Sequence, residues 1–367
     1  MGEIAAGRVL QLLGPSAGGI RRHVATLSGM LTTRGWRVEI AGPPGVMDGL
    51  AVQQHTVAVP GGSSPAGAWA ARRSLRALAE RFDLIHAHGL KAGWVAASLR
   101  RHPPLVVTIH NVVLEEAAGR RAGGLRVLER LLPARTDALV AVSSEIARRF
   151  VGAPGADRVV VIAPVGPPLE PVRPRAEVRA GLAVGPDEPL VVTATARLHP
   201  QKDLVTFLRA MAAVRHTHPA ARAAIVGDGP QRSELEAEAE ALGLGDAVRF
   251  TGWVPNFADL LVAADVVVVS SLWEGAPIAL AEAMRLGRPV VATAVGAIPE
   301  VVVDRETGRL VPARDAVALA EAIGAALDDP GEAARMAEAG RDRVAELLDP
   351  DLLVSAVEEV YRATLDP

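Results

Sequence analysis

The stretch Val266-Val-Val-Val-Ser-Ser-Leu-Trp-Glu-Gly-Ala-Pro-Ile-Ala-Leu-Ala-Glu-Ala-Met284 decides how this chain folds. It opens on four valines, a β-branched run suited to a buried strand. It closes on the apolar run Ile278 to Met284, which reads as a helix. Between the two, Gly275 loosens a turn, and Pro277 suits the first position of a helix, where a missing N–H costs nothing. Strand, short loop and helix in that order is the repeating unit of a parallel α/β sheet. Two glutamates are set into it with seven residues between them. Glu274 is expected on the loop above the strand, and Glu282 about a turn and a half into the helix. A carboxylate inside an apolar run is costly without partners. Both glutamates border the space ahead of a helix N-terminus, where anions bind.

The same rhythm extends in both directions. Upstream, Val9 to Leu13, Arg37 to Ala41, Leu84 to Ala87, Leu105 to Ile109, Ala138 to Val142 and Val159 to Ile162 read as strands, with Ile20 to Arg34 as the first helix. Pro164 to Pro174 holds Pro164, Pro167, Pro168, Pro171 and Pro174, a density that no regular element survives, and it reads as a stiff linker. The rhythm then restarts. Leu190 to Thr195, Ala223 to Val226, Val248 to Thr251, Val266 to Ser270, Pro289 to Thr293 and Arg309 to Val311 are strand-like, and Asp203 to Thr217 and Ser233 to Leu242 are helical patterns. The expected fold is therefore α/β, with two Rossmann-like doubly wound domains, 1–165 and 175–351, facing each other across a cleft. Ligands in such sheets bind beyond the carboxyl ends of the strands, where every motif below falls.

Composition narrows the class. The chain has 367 residues, half of them hydrophobic, and no cysteine, which excludes disulfides and thiolate chemistry and is compatible with a reducing cytosol. The N-terminus lacks signal-peptide architecture, and no uncharged apolar run approaches the ~20 residues of a spanning helix. A net charge of −3 hides an asymmetry. Residues 1–165 carry 20 Lys and Arg against 11 Asp and Glu, whereas the remainder carries 19 against 31. A basic half suits an anionic partner such as a lipid phosphate, a membrane surface or nucleic acid, or simply presents solvated arginines.

Several strand ends carry candidate chemistry. Gly14-Pro-Ser-Ala-Gly-Gly-Ile20 follows the first strand, and Gly18 and Gly19 let backbone approach a ligand closely. It is neither Gly-x-Gly-x-x-Gly nor a Walker sequence, so dinucleotide and P-loop readings lose support. His86 and His88 end one strand and His110 another. Metal binding is one reading of them and a plain hydrogen-bonding role the other; the nearest carboxylate, Asp83, points to the opposite side of the strand from His86. Arg197 and Lys202 flank the loop Arg197-Leu-His-Pro-Gln-Lys-Asp203, a planar fork and a point charge that suit a diphosphate. Gly227-Asp-Gly-Pro230 is a turn by composition, Phe250-Thr-Gly-Trp-Val254 places Gly252 at a close approach, and Gly296-Ala-Ile-Pro-Glu300 is a further candidate anion cradle.

Taken together, these residues resemble the retaining glycosyltransferases of family four, which have the GT-B fold, over essentially the whole chain. The resemblance implies a nucleotide-diphospho-sugar in the second domain and an acceptor in the first. It implies that Glu282 holds ribose hydroxyls, that Glu274 meets the donor sugar and that Arg197 and Lys202 clamp the diphosphate. Gly18 and Gly19 approach the donor by backbone, His110 stands beside the sugar, and Gly227, Trp253 and Val254 lie near the nucleotide. Ala276 and Ile278 belong to the same donor-binding turn; because Pro277 cannot donate an N–H, contacts there fall to amides such as that of Ile278. The segment after Val159 to Ile162 departs from the family's Pro-Asn-Gly and reads Pro164-Val-Gly166. No metal and no cofactor beyond the donor substrate is expected, and no nucleic acid. The implied reaction moves a hexose or N-acetylhexosamine from a UDP- or GDP-sugar by same-face attack, in the cytoplasm. A sugar-nucleotide epimerase, a phosphorylase or a non-catalytic sugar-nucleotide sensor are the alternatives.

Two expectations concern the flanks of these domains. Arg120, Arg121, Arg126, Arg130 and Arg135 surround Leu125, Val127, Leu128, Leu131 and Leu132, either as a basic amphipathic helix on an anionic membrane or as a domain helix with its leucines on the sheet. The final helix, about 352–367, is expected to pack back on the first domain.

Overall fold

A computed structural model describes residues 7–15, 18–48, 50–62, 64–112, 122–164, 166, 169–194 and 197–366. Ser16, Ala17, Arg120, Arg121, Val165, Pro167, Pro168 and Thr195, all named above, lie outside the described residues. The chain divides into two compact units, Met1–Pro167 with Leu348–Pro367, and Pro168–Leu347.

Among the described residues, the first unit is built on strands β1 (Arg8–Leu13), β2 (Arg37–Gly42), β3 (Gln53–Thr56), β4 (Leu84–His88), β5 (Leu105–Ile109), β6 (Ala138–Ala141) and β7 (Val159–Val161). Its helices are α1 (Gly19–Thr33), α2 (Pro65–Ala79), α3 (Leu90–Ala97), α4 (Ala122–Leu131) and α5 (Ser144–Arg148). The sheet is parallel throughout, in the order β3-β2-β1-β4-β5-β6-β7. Every residue of β4 and β5 is buried, as in a sheet covered on both faces. Strand β3, Gln-Gln-His-Thr, has no apolar run to betray it. It sits at the sheet edge with most of its residues exposed, where polar side chains discourage pairing with other chains.

The second unit holds α6 (Arg175–Gly181), β8 (Leu190–Thr193), α7 (Leu204–Thr217), β9 (Arg222–Val226), α8 (Arg232–Ala241), β10 (Val248–Gly252) and α9 (Phe257–Ala263). It continues through β11 (Val266–Val269), α10 (Ile278–Arg285), β12 (Val290–Thr293), α11 (Ile298–Val301), β13 (Arg309–Val311), α12 (Ala316–Asp328) and α13 (Pro330–Leu347). Its parallel sheet runs β10-β9-β8-β11-β12-β13. Leu204, Phe207, Leu208 and Met211 of α7 pack with Leu319 and Ile323 of α12 on Val191, Ile225, Val266 and Val268 of the sheet. The proline-rich segment holds no regular element among its described residues. Its end is fastened to α9, where Asp259 accepts from the Val172 amide at 2.7 Å and the Arg173 guanidinium at 2.9 Å.

The last helix, α14 (Pro350–Leu365), returns to the first unit. Val354, Val357 and Tyr361 join Val9, Leu27, Leu31, Trp36, Leu84 and Val106 in one core. Polar contacts from Arg34 and Trp36 latch it. Arg34 donates to Glu358 at 2.8 Å and to Asp351 at 2.6 Å, and the Trp36 indole donates to the other Glu358 oxygen at 2.8 Å. Burial pushes the Glu358 carboxyl up, but the Arg34 and Trp36 hydrogen bonds outweigh it and hold the group below its ordinary value.

In each sheet the connections reverse direction once, between β1 and β4 in the first unit and between β8 and β11 in the second. Loops leaving two neighbouring strands for opposite faces open a crevice at their carboxyl ends. These two switch points position the residues that matter.

Candidate active site

At the second unit's switch point, the loops after β8 and β11 are laced together. The Leu272 amide donates to the Gln201 carbonyl at 2.8 Å, Gln201 Nε2 to the Trp273 carbonyl at 2.7 Å, and the Ser270 hydroxyl to the Lys202 carbonyl at 2.8 Å. This lacing brings Lys202 Nζ to 2.6 Å from Glu274 Oε1, and the Ser271 hydroxyl donates to the same oxygen at 2.6 Å. The ion pair is mostly buried, with side-chain exposures of 18% and 11%, so it is screened less than a surface pair. Arg197 is exposed on the same loop, where its backbone bridges to Asp228. Burial, then the charges of Arg197 and Lys202, push the His199 imidazole below its ordinary pKa. A histidine that sheds its proton beside two cations marks a positive field in which an anion is welcome.

The chain turns that hold this geometry depend on small residues. Asp203 ends the Pro200–Lys202 turn in the left-handed region, at φ 46°, instead of opening α7, and its carboxylate accepts from the Thr206 hydroxyl at 2.7 Å. Gly227 stands at φ 110° and donates its amide to the Gly252 carbonyl at 2.9 Å. Its neighbour Gly229 had no separate reading in the sequence, yet a Cβ there would lie 2.4 Å from the Leu198 carbonyl oxygen. Gly296 proves to be a packing glycine: at φ 58°, a Cβ would fall 2.0 Å from the Glu274 carbonyl oxygen, which accepts from the Ala297 amide at 2.9 Å. Its smallness sets the height of the Glu274 loop.

The start of α10 also differs from expectation. Pro277 lies one residue before the helix, with φ −82° and ψ 63°, the conformation of an inverse γ-turn. The Ile278 amide donates to the Ala276 carbonyl at 2.9 Å, so the amide expected to meet the donor is engaged within the turn. The helical ladder begins with the Ala281 amide on the Pro277 carbonyl at 3.0 Å, leaving those of Ala279 and Leu280 ahead of it. Glu282 is 4% exposed, one helical turn further in. Trp253 is exposed and Val254 half-buried after β10.

The first unit's switch point gathers a different chemistry. Gly18 caps α1 at φ 71° and ψ −125°, a conformation that only glycine adopts readily, and Gly19 is the first helical residue. His88 ends β4, and His110 follows β5. Both are buried, with His88 Nδ1 3.1 Å from His110 Nε2. His23 of α1, which sequence reading passed over, meets both rings edge-on at centroid distances of 5.8 and 5.4 Å. Ring nitrogens of His23, His88 and His110 lie within 4.8 Å of one another, the grouping among the described residues that could hold a metal ion. Asp83 takes no part, since it accepts from the Arg8 amide at 2.8 Å at the far end of the sheet. Burial is the main cause that drives the His86 pKa down to about 3 and holds His88 and His110 well below their ordinary value, with neighbouring imidazoles adding to it. All three are neutral at physiological pH, suited to accept and donate hydrogen bonds to hydroxyls.

Helix α4 presents an exposed apolar strip. Val127 is 58% exposed, and Leu128 and Leu131 are each 41% exposed, while Leu132 is buried. Three of the leucine and valine side chains expected to face the sheet therefore face outward. Glu129 occupies the inner face instead, held by Arg149 at 2.6 Å. No helix among the described residues is long and apolar enough to cross a membrane.

Two family models match the chain. "Glycosyltransferase Family 4" covers residues 17–165, and "Glycosyl transferases group 1" covers residues 177–343. The chain is 35% identical over 317 residues to the D-inositol 3-phosphate glycosyltransferase of Thermomonospora curvata, covering 78% of this chain and 72% of that enzyme. It is 34% identical over 389 residues to the enzyme of the same name from Xylanimonas cellulosilytica, covering 94% and 91%. The match to the Streptomyces avermitilis enzyme of that name spans 66% of its length. Among solved structures, sucrose-phosphate synthase of Thermosynechococcus elongatus is 27% identical with a TM-score of 0.83, over 97% of this chain and 98% of that one. Anabaena HepE in complex with UDP-glucose shares the fold at 24% identity and a TM-score of 0.86, over 97% of this chain and 100% of that one. The two parallel sheets, the paired lysine and glutamate at one switch point and these similarities agree: the chain belongs to glycosyltransferase family four, with the GT-B fold.

Proposed function

We propose that this chain moves a hexose or N-acetylhexosamine from a UDP- or GDP-sugar, with retention and without a metal, onto an acceptor of cell-envelope, polysaccharide or glycolipid type. The observation that carries the reading is the Lys202–Glu274 pair at 2.6 Å on the two laced loops. As the anomeric C–O bond breaks, the leaving diphosphate gains charge. Lys202 and Arg197 are fixed cations on one loop that stabilise this charge, the task a divalent ion performs elsewhere. Glu274 is held by Lys202 and Ser271 with acceptor capacity toward sugar hydroxyls, and Glu282 serves the ribose. Same-face attack assigns deprotonation of the acceptor to the leaving phosphate, so Glu274 is no covalent nucleophile.

The donor is tested by thermal shift against UDP, GDP, ADP and their sugars, followed by turnover with inositol phosphate as the first acceptor, a choice prompted by the named relatives. One nucleotide and its sugar should raise the melting temperature, and turnover should survive EDTA. No shift with any diphosphate nucleotide contradicts the reading. Conversion of UDP-GlcNAc to UDP-ManNAc without acceptor would identify an epimerase instead.

The acceptor side of the proposal includes an anionic membrane at the cytoplasmic face. The outward Val127, Leu128 and Leu131, with exposed Arg130 and Arg135, support it. Flotation with anionic vesicles at moderate salt should enrich the protein over neutral vesicles, and equal recovery would remove the membrane from the account.

A further inference from the structure

Two buried polar side chains, His88 and Gln11, connect His110 to Tyr361 of the last helix. His88 Nε2 lies 2.7 Å from Gln11 Oε1, in the middle of β1. Gln11 Nε2 donates to the Tyr361 hydroxyl at 3.1 Å, and that hydroxyl lies 2.6 Å from His86 Nδ1. His86 Nε2 is 2.6 Å from the Thr108 hydroxyl. Gln11 and Tyr361 are 0% exposed, and Tyr361 is the single tyrosine of the chain. The transfer chemistry proposed above uses none of Gln11, Tyr361 and His86.

The protons in this chain follow from what each atom can do. Gln11 Oε1 only accepts, so His88 carries its proton on Nε2. A neutral His88 then has a bare Nδ1, which accepts from His110 Nε2–H. A neutral His110 in turn has a bare Nδ1. At the other end, the Tyr361 oxygen accepts from Gln11, so its own proton goes to His86 Nδ1, and His86 donates from Nε2 to Thr108. Each link is satisfied in one direction, set by the Gln11 amide. Turning that amide over reverses every bond and moves the His110 proton to Nδ1. Burial keeps the Tyr361 phenol well above its ordinary pKa, so it stays a donor.

We infer that Gln11 is a positioning residue: with its Nε2 held by the Tyr361 hydroxyl, its amide turns Oε1 toward His88 and so fixes the tautomer of His110, leaving Nδ1 bare to accept a hydrogen bond from a hydroxyl. The link from that tautomer to a sugar hydroxyl rests on the proposed function, but the tautomer itself does not.

The test is long-range ¹H–¹⁵N correlation on the full chain with ring-¹⁵N histidine, the His110 signals being assigned by their loss in His110→Gln. In the wild type, His110 should show a protonated Nε2 and an unprotonated Nδ1. Gln11→Met removes the amide with little change of volume and should average the two nitrogens toward a mixture. Trp36→Phe loses the Glu358 hydrogen bond on the Tyr361 helix, so it should lower the melting temperature and leave the pattern intact. Should Gln11→Met not fold, Tyr361→Phe removes the acceptor that holds the Gln11 amide and should give the same averaging. A wild-type His110 protonated at Nδ1, or a pattern unmoved in Tyr361→Phe and Gln11→Met, overturns the inference. Because the readout needs no substrate, its failure leaves the transfer reaction standing, and failure of the transfer reaction leaves the tautomer measurable.

Discussion

At the scale of single residues, the account turns on groups that share one small volume. Lys202 pairs with Glu274 at 2.6 Å, so removing either disturbs the other. Lys202→Ala should lower kcat by roughly 30- to 1000-fold, the equivalent of about 2–4 kcal/mol of transition-state stabilisation. Asp203→Ala removes the contact to Thr206 and leaves both cations, so steady-state kinetics should show a much smaller loss. Equal small effects would undo the assignment. Gly296→Ala forces a methyl group toward the Glu274 carbonyl, which a Cβ would approach to 2.0 Å, in a backbone region that alanine resists. The loop must shift, and both donor affinity and melting temperature should fall. Thermal melts with and without nucleotide would separate the two effects. Glu274, Glu282, Arg197 and Lys202 were legible because each stands at a recognisable place in a strand-loop-helix pattern. His23, Gln11 and Tyr361 were not, because their roles depend on partners distant in the chain. The Gln11–Tyr361 contact spans 350 positions, and no local pattern encodes that separation.

At the scale of elements, strands with continuous apolar runs such as Leu105–Ile109 read directly from the sequence. Edge strand β3 did not, since its residues answer to solvent rather than to a core. The final helix was foreseen as a return to the first domain, but not its latch. Glu358 is held below its ordinary pKa, so the folded state binds its proton less readily than the unfolded chain. The stability from this latch is therefore complete above the unfolded value, near 4.5, and is lost as pH falls through the folded one. Between those limits, the exchange protection of α14 amides should fall on acidification in the wild type. In Glu358→Gln that loss of protection should be much reduced, and an unchanged profile would deny the latch its role.

At the scale of the whole molecule, the two units carry different chemistries at equivalent places in their sheets. One gathers cations and carboxylates, the other neutral histidines. The histidines make the first unit acid-sensitive in their own window. His86 has a folded pKa of about 3 against an ordinary 6.5, so below pH 6.5 the unfolded state takes up a proton that the folded state refuses. Its stability contribution is full above that value and declines toward pH 3, by about 1.4 kcal/mol per pH unit. Exchange protection of β4 and β5 should fall from pH 6.5 downward, before the Glu358 latch responds. The central claim is that the second unit's laced loops hold a nucleotide-diphospho-sugar through Arg197 and Lys202. Calorimetric titration of UDP- and GDP-sugars into the wild type, Arg197→Ala and Lys202→Ala tests it most directly. The account predicts one donor base with saturable binding, weakened at least tenfold in each variant. Binding of equal strength in all three proteins, or no binding of any sugar nucleotide to the wild type, would contradict it.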